Sequence, residues 1–462
     1  MSKALKTFEF PKNFLWGTAT ASHQVEGNNK LNDWWAFEQE PGRIHDGNPS
    51  GEACRHYEFY KEDIALMKQL HQNTHRFSIE WSRIEPTEGK FDQAAINHYR
   101  DVLETLHKHK IEPMLTIHHF TNPQWLRAKG AWETADVIPY FERFVQLVAR
   151  EYGDLVKYWV TINEPMVYSV MGYVLCAWPP AKKSPKLAFA SAANMMRAHA
   201  AAYRILHNTA KIKPMVGIAH NIRIFDPANA KSWLDKKVAH FQDYAFNEVV
   251  IRALTEGKLH FPLGKGEIPG AKDSMDFIGI NYYSRDLVKF DITKPHLMFG
   301  NNFPPADAEL TLFGWEVYAE GLYRLCKRMS KYGRPIMITE NGIPDDTDEQ
   351  RPRILLDHLE AMHKAISEGI DVQGYFHWSF IDNFEWAEGY RTPFGLIAFD
   401  PKTQERTVKD SGKLYAEICR TNSITPDMRS QVKGRSATPK KHFNLYGDIG
   451  VYVSSNAGTS NR

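Results

Sequence analysis

Eight short apolar runs punctuate the chain, and each is rich in β-branched and aromatic residues. Runs of this length and composition favour buried strands. The predicted strands span Phe14 to Ala21, Thr74 to Trp81, Glu112 to Phe120, Lys157 to Pro165, Met215 to Ile222, Asp276 to Tyr283, Pro335 to Gly342 and Val372 to Phe380. The fourth and seventh runs share a further feature, because each ends abruptly in Asn and Glu beside a breaker.

The segments between these runs have the spacing of amphipathic helices. Apolar residues recur on one helical face, as at Phe59, Ile64, Met67 and Leu70, and at Phe141, Phe144, Val145 and Val148. Eight near-continuous hydrophobic strands, each with a helical crossover, can close into a barrel, whereas an open doubly wound sheet would usually need fewer strands. The pattern therefore predicts an α/β fold, namely a (β/α)₈ TIM barrel in a single domain.

The length of 462 residues, with 43% hydrophobic and 24% charged residues, is typical of a soluble globular protein. Barrels of this class often carry long loops, so one core accounts for most of the chain. We assign residues 1–421 to the barrel and 422–462 to a C-terminal tail rich in Ser, Lys, Gly and Asn. This tail is expected to be weakly ordered, although HFNLYGDIGVYV could form a hairpin.

Charge and cysteine content exclude several classes of function. The formal net charge is only +2, which gives no strong field for nucleic acid or an anionic membrane. No apolar run has the length of a membrane span or of a signal-peptide core, so a cytoplasmic protein is expected. The four cysteines, Cys54, Cys176, Cys326 and Cys419, lack zinc or disulfide spacing and are expected to be buried thiols.

In a TIM barrel the active site lies at the C-terminal ends of the strands, so the residues at the strand tips are the candidates for chemistry. No phosphate loop, GxGxxG or HExxH motif accompanies them, and we expect no cofactor and no metal. The tips and the loop after the last strand carry His23, Gln24, Arg76, His118, His119, Asn163, Glu164, Asn281, Tyr283, Glu340, Trp378, Glu385 and Trp386.

Two of these residues, Glu164 and Glu340, would project from opposite walls. Cleavage of a glycosidic bond needs an acid that protonates the leaving oxygen and an anion that attacks or stabilises the sugar. Amide, imidazole and carboxyl groups can bind hydroxyls in pairs, and an indole offers a flat apolar face to a pyranose. The residues alone therefore indicate a glycosidase and leave the roles of the two carboxylates open.

Each candidate also has a structural interpretation. A single Glu at a strand end is ordinarily a salt-bridge partner, and Arg76 can be a buried ion-pair member. His118 beside His119 resembles a metal pair but lacks a third ligand at suitable spacing, and one of the two should point into the barrel wall. Trp378 and Trp386 can both be core residues.

Eight blocks in order resemble glycoside hydrolase family 1, the retaining β-glucosidases and β-galactosidases. The resemblance runs from about Phe8 to about Arg420. The blocks are FLWGTATASHQVEG, HRFSIEWSRIEP, HHF, VTINEP, DFIGINYYS, GWEVYAEGLYR, ITENG and HWSFIDNFEWAEGYRTPFGL.

The resemblance implies roles for the paired carboxylates. Glu164 would be the acid/base and Glu340 the nucleophile, about 5 to 5.5 Å apart as retention requires. Arg76 and Tyr283 would favour an ionised Glu340, with Asn281 as a supporting residue, whereas less polar surroundings and the nearby anion would raise the pKa of Glu164.

The resemblance also implies a sugar-binding set and a substrate class. The set comprises Gln24, His119, Asn163, Tyr283, Trp378, Glu385 and Trp386. A carboxylate at Glu385 would repel a phosphate, so an unphosphorylated sugar is expected. The partner would be a small glycoside or oligosaccharide such as cellobiose, with a β-glucosyl group foremost and β-galactosides and β-fucosides as further candidates. Oligomeric state is left open.

Two alternatives and several departures limit what the resemblance implies. A transglycosylase on the same scaffold and a catalytically silent sugar-binding homologue both stay open. Phe120, Thr121-Asn122 and Ala319 depart from the common pattern, which leaves the aglycone side undetermined. The entrance is expected to include four aromatic residues without assigned positions, namely Trp34, Trp35, Trp178 and Tyr390.

Overall fold

The computed structural model describes residues 6–432 and residue 434, and its centre is a closed barrel of eight parallel strands. Each strand pairs with its neighbours in sequence, and the last pairs with the first. The predicted TIM barrel is therefore confirmed. The strands are β1 Leu15–Ala19, β2 Thr74–Ser78, β3 Glu112–His118, β4 Tyr158–Asn163, β5 Met215–Asn221, β6 Ile278–Tyr282, β7 Ile336–Asn341 and β8 Val372–Trp378.

All eight predicted strands exist, but they end one to three residues earlier than their apolar runs. The residues just after the strands are still buried, because they cover the barrel mouth, so the apolar run is longer than the strand. Trp81 already belongs to the short helix Trp81–Ile84, and Phe120 has a left-handed φ of 71° that no strand residue adopts.

Helices surround the barrel. The longer ones are α1 His56–Gln69, α2 Gln93–Lys108, α3 Val137–Tyr152, α4 Pro165–Tyr173, α5 Pro185–Thr209, α6 Trp233–Asp243, α7 Val249–Glu256, α8 Glu320–Met329, α9 Arg351–Ser367 and α10 Asp410–Thr421. Shorter helices cover Ser22–Val25, Asp33–Glu38, Gln124–Ala128 and Pro426–Gln431. The predicted apolar face of α3 is buried, whereas Phe59 on α1 is only half-buried and the adjacent Tyr60 packs into the core.

The loops that follow β5 and β6 join in a small sheet beside the barrel mouth. Its three strands are Ile224–Pro227, Arg285–Phe290 and Gly300–Phe303, with the middle strand parallel to the first and antiparallel to the last. Helix α6 packs against this sheet, and the π-helical turn Tyr244–Glu248 connects it to α7. These elements wall one side of the cavity described below.

The two ends of the described chain meet at the opposite end of the barrel. Phe8–Glu9 pairs with Ser423–Ile424, and Pro426–Gln431 adds a final helix. The boundary predicted after Thr421 is therefore too early, because residues 422–432 belong to the folded unit. Their polar composition indicated a tail, but strand pairing depends on a partner about 415 residues away that composition does not reveal. The predicted hairpin at 442–453 lies outside the described residues.

The four cysteines and the lengths of the helices can also be compared with the predictions from sequence. Cys54 and Cys326 are buried as predicted, while Cys176 and Cys419 are only half-buried, and none of the four forms a disulfide. Among the described residues, no helix has the length and apolar character needed to cross a membrane.

Candidate active site

A cavity of about 430 Å³ opens where the barrel strands end, and it collects most of the predicted site residues. The predicted residues on its wall are His119, Asn163, Glu164, Tyr283, Glu340, Trp378, Glu385 and Trp386. Gln24, Arg76 and Asn281 lie behind this wall, and each hydrogen-bonds to one of its carboxyl groups. The fold thus brings residues from the ends of different strands into one cavity, as the strand-tip argument predicts.

Glu340 lies near the end of β7, and its carboxylate is held from two sides. The Arg76 guanidinium donates to Oε1 at 2.7 Å, and the Tyr283 hydroxyl donates to Oε2 at 2.6 Å. Burial raises the pKa of Glu340, while Arg76 and Tyr283 act in the opposite direction. The predicted contacts are present, and they point both carboxylate oxygens in fixed directions.

Arg76 connects the site to the barrel wall. Besides Glu340, its guanidinium donates to Thr116 Oγ1 at 3.0 Å, to the Thr339 carbonyl at 3.1 Å and to Asn163 Oδ1 at 2.6 Å. These bonds link β2 to β3, β4 and β7, and Arg76 is only 1% exposed. Arg76 is therefore a buried ion-pair member, as its structural interpretation predicts, and the carboxylate that it pairs with is that of Glu340.

Glu164 follows β4 directly and precedes α4. Its φ of 44° lies in the left-handed region, where a non-glycine residue is uncommon and strain gathers at functional positions. Pro165 occupies the first helical position, which fixes the direction of the turn. The side chain accepts hydrogen bonds from Asn221 Nδ2 at 3.0 Å and Asn281 Nδ2 at 2.8 Å.

Within the described part of the chain, the side chains that hydrogen-bond to the Glu164 carboxyl group are neutral amides, so its protonated form is favoured. Burial, reinforced by the nearby Glu340 carboxylate, raises the pKa of Glu164 to about 8. The two amide donors and the more distant Arg76 lower it, but burial prevails. Two carboxyl groups in one cavity thus have different partners, one held by a guanidinium and the other by neutral amides.

Asn221, at the tip of β5, offers a direct test of this electrostatic balance. Its amide bonds to the ionised form of Glu164, so Asn221→Ala is expected to raise the pKa of Glu164 by about one unit. If Glu164 acts as an acid, the alkaline limb of the pH profile of kcat/KM moves upward by the same amount. Asn97→Ala, on the exposed side of α2, is the control, and an unmoved limb in the Asn221 variant would contradict the assignment.

Asn163 and His119 form a second polar pair. Asn163 Oδ1 accepts from Arg76 and from Asn281, so its amide nitrogen is oriented toward His119 Nε2 at 3.1 Å. Burial lowers the pKa of His119 well below its usual value, which makes the ring neutral with its proton on Nδ1. Nδ1 has no partner among the described residues and is suited to donate to a ligand hydroxyl.

Gln24 and Glu385 form the third polar pair. The Gln24 amide nitrogen donates to Glu385 Oε2 at 3.1 Å, to Asn383 Oδ1 at 3.1 Å and to the Phe384 carbonyl at 2.8 Å. Burial raises the pKa of Glu385 well above its usual value, and Glu340 adds to the effect. Within the described chain Gln24 Oε1 has no partner, so the pair retains hydrogen-bonding capacity for a polar ligand.

Aromatic rings line the same side of the cavity. The His119 ring stacks against Trp378 at 5.8 Å and against Trp386 at 6.0 Å between centroids. Trp378 ends β8, and the close approach of β7 requires Gly342, where a Cβ would lie 1.9 Å from the Trp378 carbonyl oxygen. Both tryptophans are nearly buried, yet each presents a surface to the cavity, so core packing and ligand stacking are compatible.

His118 points into the barrel wall, away from the cavity. Its Nε2 lies 3.2 Å from Asn122 Oδ1, and Trp132 packs against its ring. Across the described ranges no cluster of three potential metal ligands exists.

Sequence reasoning missed part of the site. Asn221 was not recognised, although the strand-tip rule applied to β5 would have found it. Of the aromatic residues placed loosely at the entrance, Trp178 lines the cavity, whereas Trp34 is buried beneath it against Trp178 and Trp386. Tyr390 and Trp35 lie off the cavity wall, with the Tyr390 hydroxyl donating to the Ser50 carbonyl.

Comparisons with known proteins agree with this geometry. The pattern of glycosyl hydrolase family 1 matches residues 6–424. The chain is 34% identical over 454 residues to a 1,4-β-D-glucan glucohydrolase of Thermotoga neapolitana, and 34% identical over 444 residues to β-glucosidase A of Thermotoga maritima. Each alignment covers 90% of this chain and 99% of the relative. The solved β-glycosidase from Pyrococcus horikoshii superposes with a TM-score of 0.87 at 41% identity, covering 93% of this chain and 99% of that one.

Proposed function

Because the chain belongs to glycosyl hydrolase family 1, we propose that it removes the non-reducing terminal β-D-glucosyl residue from β-glucosides with retention of configuration. The names of the two Thermotoga relatives, a glucan glucohydrolase and a β-glucosidase, support a glucosyl substrate. β-Galactosides and β-fucosides are further candidates.

One observation carries the mechanism. Glu164 and Glu340 lie in the same cavity, and their partners differ in charge, with a guanidinium on Glu340 and neutral amides on Glu164. A nucleophile must be an oriented anion, while a general acid must hold a proton at neutral pH. The Arg76 contact suits Glu340 for the first role, and a pKa of about 8 suits Glu164 for the second.

The proposed reaction has two displacements. Glu340 attacks the anomeric carbon while Glu164 protonates the leaving oxygen, and the bond to the aglycone breaks as a glycosyl ester forms. Glu164, now ionised, then removes a proton from water, and the water oxygen displaces Glu340. Two inversions give net retention. Arg76 and Tyr283 are positioning residues, since they act through the Glu340 carboxylate.

Sugar binding follows from the polar pairs. Glu385 with Gln24 and the neutral His119 can each bind a hydroxyl, and the proposed partner of the 2-hydroxyl is Asn163, whose side chain Arg76 and Asn281 hold in place. Trp378 and Trp386 offer apolar faces to the pyranose ring. The proposed steps use only the side chains named above.

Activity is expected to follow a bell-shaped pH profile. Ionisation of Glu164 removes the proton donor, so kcat/KM falls as pH rises through about 8, the pKa of Glu164. Protonation of Glu340 removes the nucleophile, so kcat/KM also falls on the acid side. The measurement is kcat/KM for a nitrophenyl β-glucoside, and a flat profile between about pH 4 and 9 would contradict the paired carboxylates.

The sugar is expected to be unphosphorylated. A 6-phosphate near Glu385 would lie beside a buried carboxyl group with no cation on it in the described chain, while Arg391 is already held by Glu388 on the same cavity wall. We expect kcat/KM for a 6-phospho-β-glucoside to be at least about 100-fold below that of the parent glucoside. Comparable values for the two nitrophenyl substrates would overturn this expectation.

A panel of nitrophenyl glycosides, with the product anomer followed by NMR, tests the proposal as a whole. β-Glucose as the first product supports retention, and α-glucose contradicts it. A catalytically silent homologue would release no nitrophenol, and a transglycosylase would release nitrophenol with little free glucose. The proposal also includes cellobiose as a substrate and a cytoplasmic location. Activity toward cellobiose is measured together with the panel.

A further inference from the structure

The acid/base candidate has two amide donors, and they are held in different ways. Asn281 Oδ1 accepts from the Thr339 hydroxyl at 2.7 Å, and the Asn281 amide donates to Asn163 as well as to Glu164. Within the described chain, the Asn221 side chain has Glu164 as its one hydrogen-bond partner, at 3.0 Å. The direction of the Asn221 amide therefore depends on the backbone that carries it.

This backbone lies at the point where a barrel strand ends. Asn221 is the last residue of β5, and the chain then leaves the barrel for the first strand of the small sheet, Ile224–Pro227. The Ile222 amide donates to the Asn281 carbonyl at 3.0 Å, which ties the chain to β6. Further contacts come from the π-helical turn Tyr244–Glu248, so this turn helps to fix the end of β5.

Asn247, in this turn, contacts the chain on both sides of Asn221. Its Oδ1 accepts from the Arg223 amide at 3.0 Å, and its Nδ2 donates to the Arg223 carbonyl at 2.7 Å. The Asn247 carbonyl oxygen lies 3.2 Å from His220 Nε2. Burial lowers the pKa of His220 to about 4, so the ring is neutral and donates from Nε2. One fully buried residue thus brackets the amide that reaches Glu164.

The turn that carries Asn247 is wider than an α-helical turn and packs beside the cavity. The Val249 amide bonds to the Tyr244 carbonyl, five residues back instead of four. Single π-turns of this kind occur frequently at functional sites. Ala245 and Phe246, in the same turn, line the catalytic cavity, whereas Asn247 is fully buried off the cavity wall. Asn247 therefore reaches the site only through the residues that it holds.

An asparagine that bonds to a loop backbone is ordinarily a structural residue. Asn73 is such a residue at the opposite end of the barrel, where its Oδ1 accepts from the Trp16 amide at 2.8 Å and its Nδ2 donates to the Phe14 carbonyl at 2.9 Å. Asn247 differs from Asn73 because the backbone that it holds carries a side chain bonded to Glu164.

We propose that Asn247 is a positioning residue for the acid/base, because it fixes the end of β5 and so holds the Asn221 amide against Glu164. This inference rests on the proposed glucosidase function, in which Glu164 is the acid. The hydrogen bond from Asn221 favours the ionised carboxylate, so weakening that bond raises the pKa of Glu164.

Asn247→Ala tests the proposal through the pH profile of kcat/KM for a nitrophenyl β-glucoside. The Arg223 backbone loses both bonds, the Asn221 amide moves away from Glu164, and the alkaline limb is expected to move upward by at least about half a unit. Asn73→Ala removes the matching pair of backbone bonds at the far end of the barrel and should leave the limb within about 0.2 unit. An unmoved limb in Asn247→Ala, or an equal shift in Asn73→Ala, would overturn the proposal.

The Asn221→Ala, Asn247→Ala double variant shows whether the effect passes through Asn221. Substitutions of residues that act through one shared contact are not additive. The limb of the double variant should therefore coincide with that of Asn221→Ala alone, within about 0.2 unit. A shift equal to the sum of the two single shifts would mean that Asn247 acts independently of Asn221, against the proposal.

The charged and titratable groups around both residues are unchanged in these variants. Those facing Glu164 are Glu340 on β7, Arg76 on β2, and Tyr283 and Glu385 in the loops after β6 and β8. Those around Asn247 are Asp243, His220, Glu248, Arg328 and the Arg223–Asp286 pair. Asp243 accepts from the Asn247 amide at 2.7 Å and from Arg328 at 2.6 Å, so it keeps a partner in the variant. A moved limb thus reports the lost backbone bonds.

A readout that needs no substrate separates this inference from the proposed function. In protein labelled with ¹³C at the glutamate carboxyl carbon, the NMR signal that disappears in Glu164→Gln reports the pKa of Glu164 directly. We expect that pKa to rise in Asn247→Ala, and His220→Phe, which removes the other contact, takes its place if Asn247→Ala does not fold. A wild type that cleaves no nitrophenyl glycoside would contradict the proposed function, whereas an unmoved pKa of Glu164 in the folded variant would overturn the positioning role.

Discussion

Replacing Glu340 by glutamine is expected to abolish turnover, with kcat lowered by at least about 10⁴-fold for every glycoside. Glutamine keeps the shape of the side chain and can still meet Arg76 and Tyr283, but it has no anionic oxygen for attack on the anomeric carbon. The loss should therefore not depend on the leaving group, because glycosyl-enzyme formation fails for all of them. Steady-state kinetics with several nitrophenyl and alkyl glucosides measure this.

Glu112→Gln is the matched control for this experiment. Glu112 begins β3 at the far end of the barrel, and burial raises its pKa as well, so the same substitution changes a half-buried carboxyl group remote from the cavity. We expect its kcat/KM to stay within about twofold of the wild type. Circular dichroism should show folded protein for both variants. Retention of a tenth or more of the activity in Glu340→Gln would remove Glu340 as the nucleophile.

Glu164→Gln is expected to produce a loss that depends on the leaving group. Substrates with poor leaving groups, such as alkyl glucosides, should lose about 10²- to 10⁴-fold in kcat/KM, because they need a proton from Glu164. Dinitrophenyl glucosides leave without that proton and should still form the glycosyl-enzyme. Since the general base for the second step is also missing, one equivalent of dinitrophenol should appear in a burst before slow turnover.

The pH profile gives a second readout for the same variant. The alkaline limb near pH 8 comes from the pKa of Glu164, so it should disappear when the residue cannot titrate. A Glu164→Gln enzyme that is equally active on every leaving group, or that keeps the limb, would contradict the acid/base assignment. The Asn221→Ala variant, which keeps the acid and shifts its pKa, complements this test.

The barrel was predictable because each strand can be recognised from its own short stretch of sequence. Runs such as Ile336–Asn341 are buried on both faces, and they begin with consecutive apolar residues and end in polar ones. The polar residue that ends such a run must lie at the barrel mouth, which is why Glu164 and Glu340 could be paired although 176 positions separate them. Family resemblance then supplied roles that geometry alone left open.

Other features depend on tertiary contacts that leave no local signal. Met171 on α4 and Met298 in the turn after Pro295–Leu297 face one cavity only because the loops after β4 and β6 converge. The position of Asn221 at a strand end could have marked it as a candidate, but only its 3.0 Å contact with Glu164 shows which carboxyl group it serves. Residues 422–432 read as a tail since pairing with Phe8–Glu9 cannot be inferred from composition.

The meeting of the two chain ends beneath the barrel has a practical consequence. Asn422 accepts from the Trp16 indole at 2.9 Å, and its amide returns a bond to the Phe10 carbonyl at 2.8 Å, at the pole remote from Glu164 and Glu340. A resin coupled beside the last described helix, Pro426–Gln431, would hold the enzyme with its mouth facing outward. Immobilised catalysts built this way should keep full access for bulky glycosides, whereas attachment through α6, whose Gln242 lines the cavity, would bring the support close to the active site.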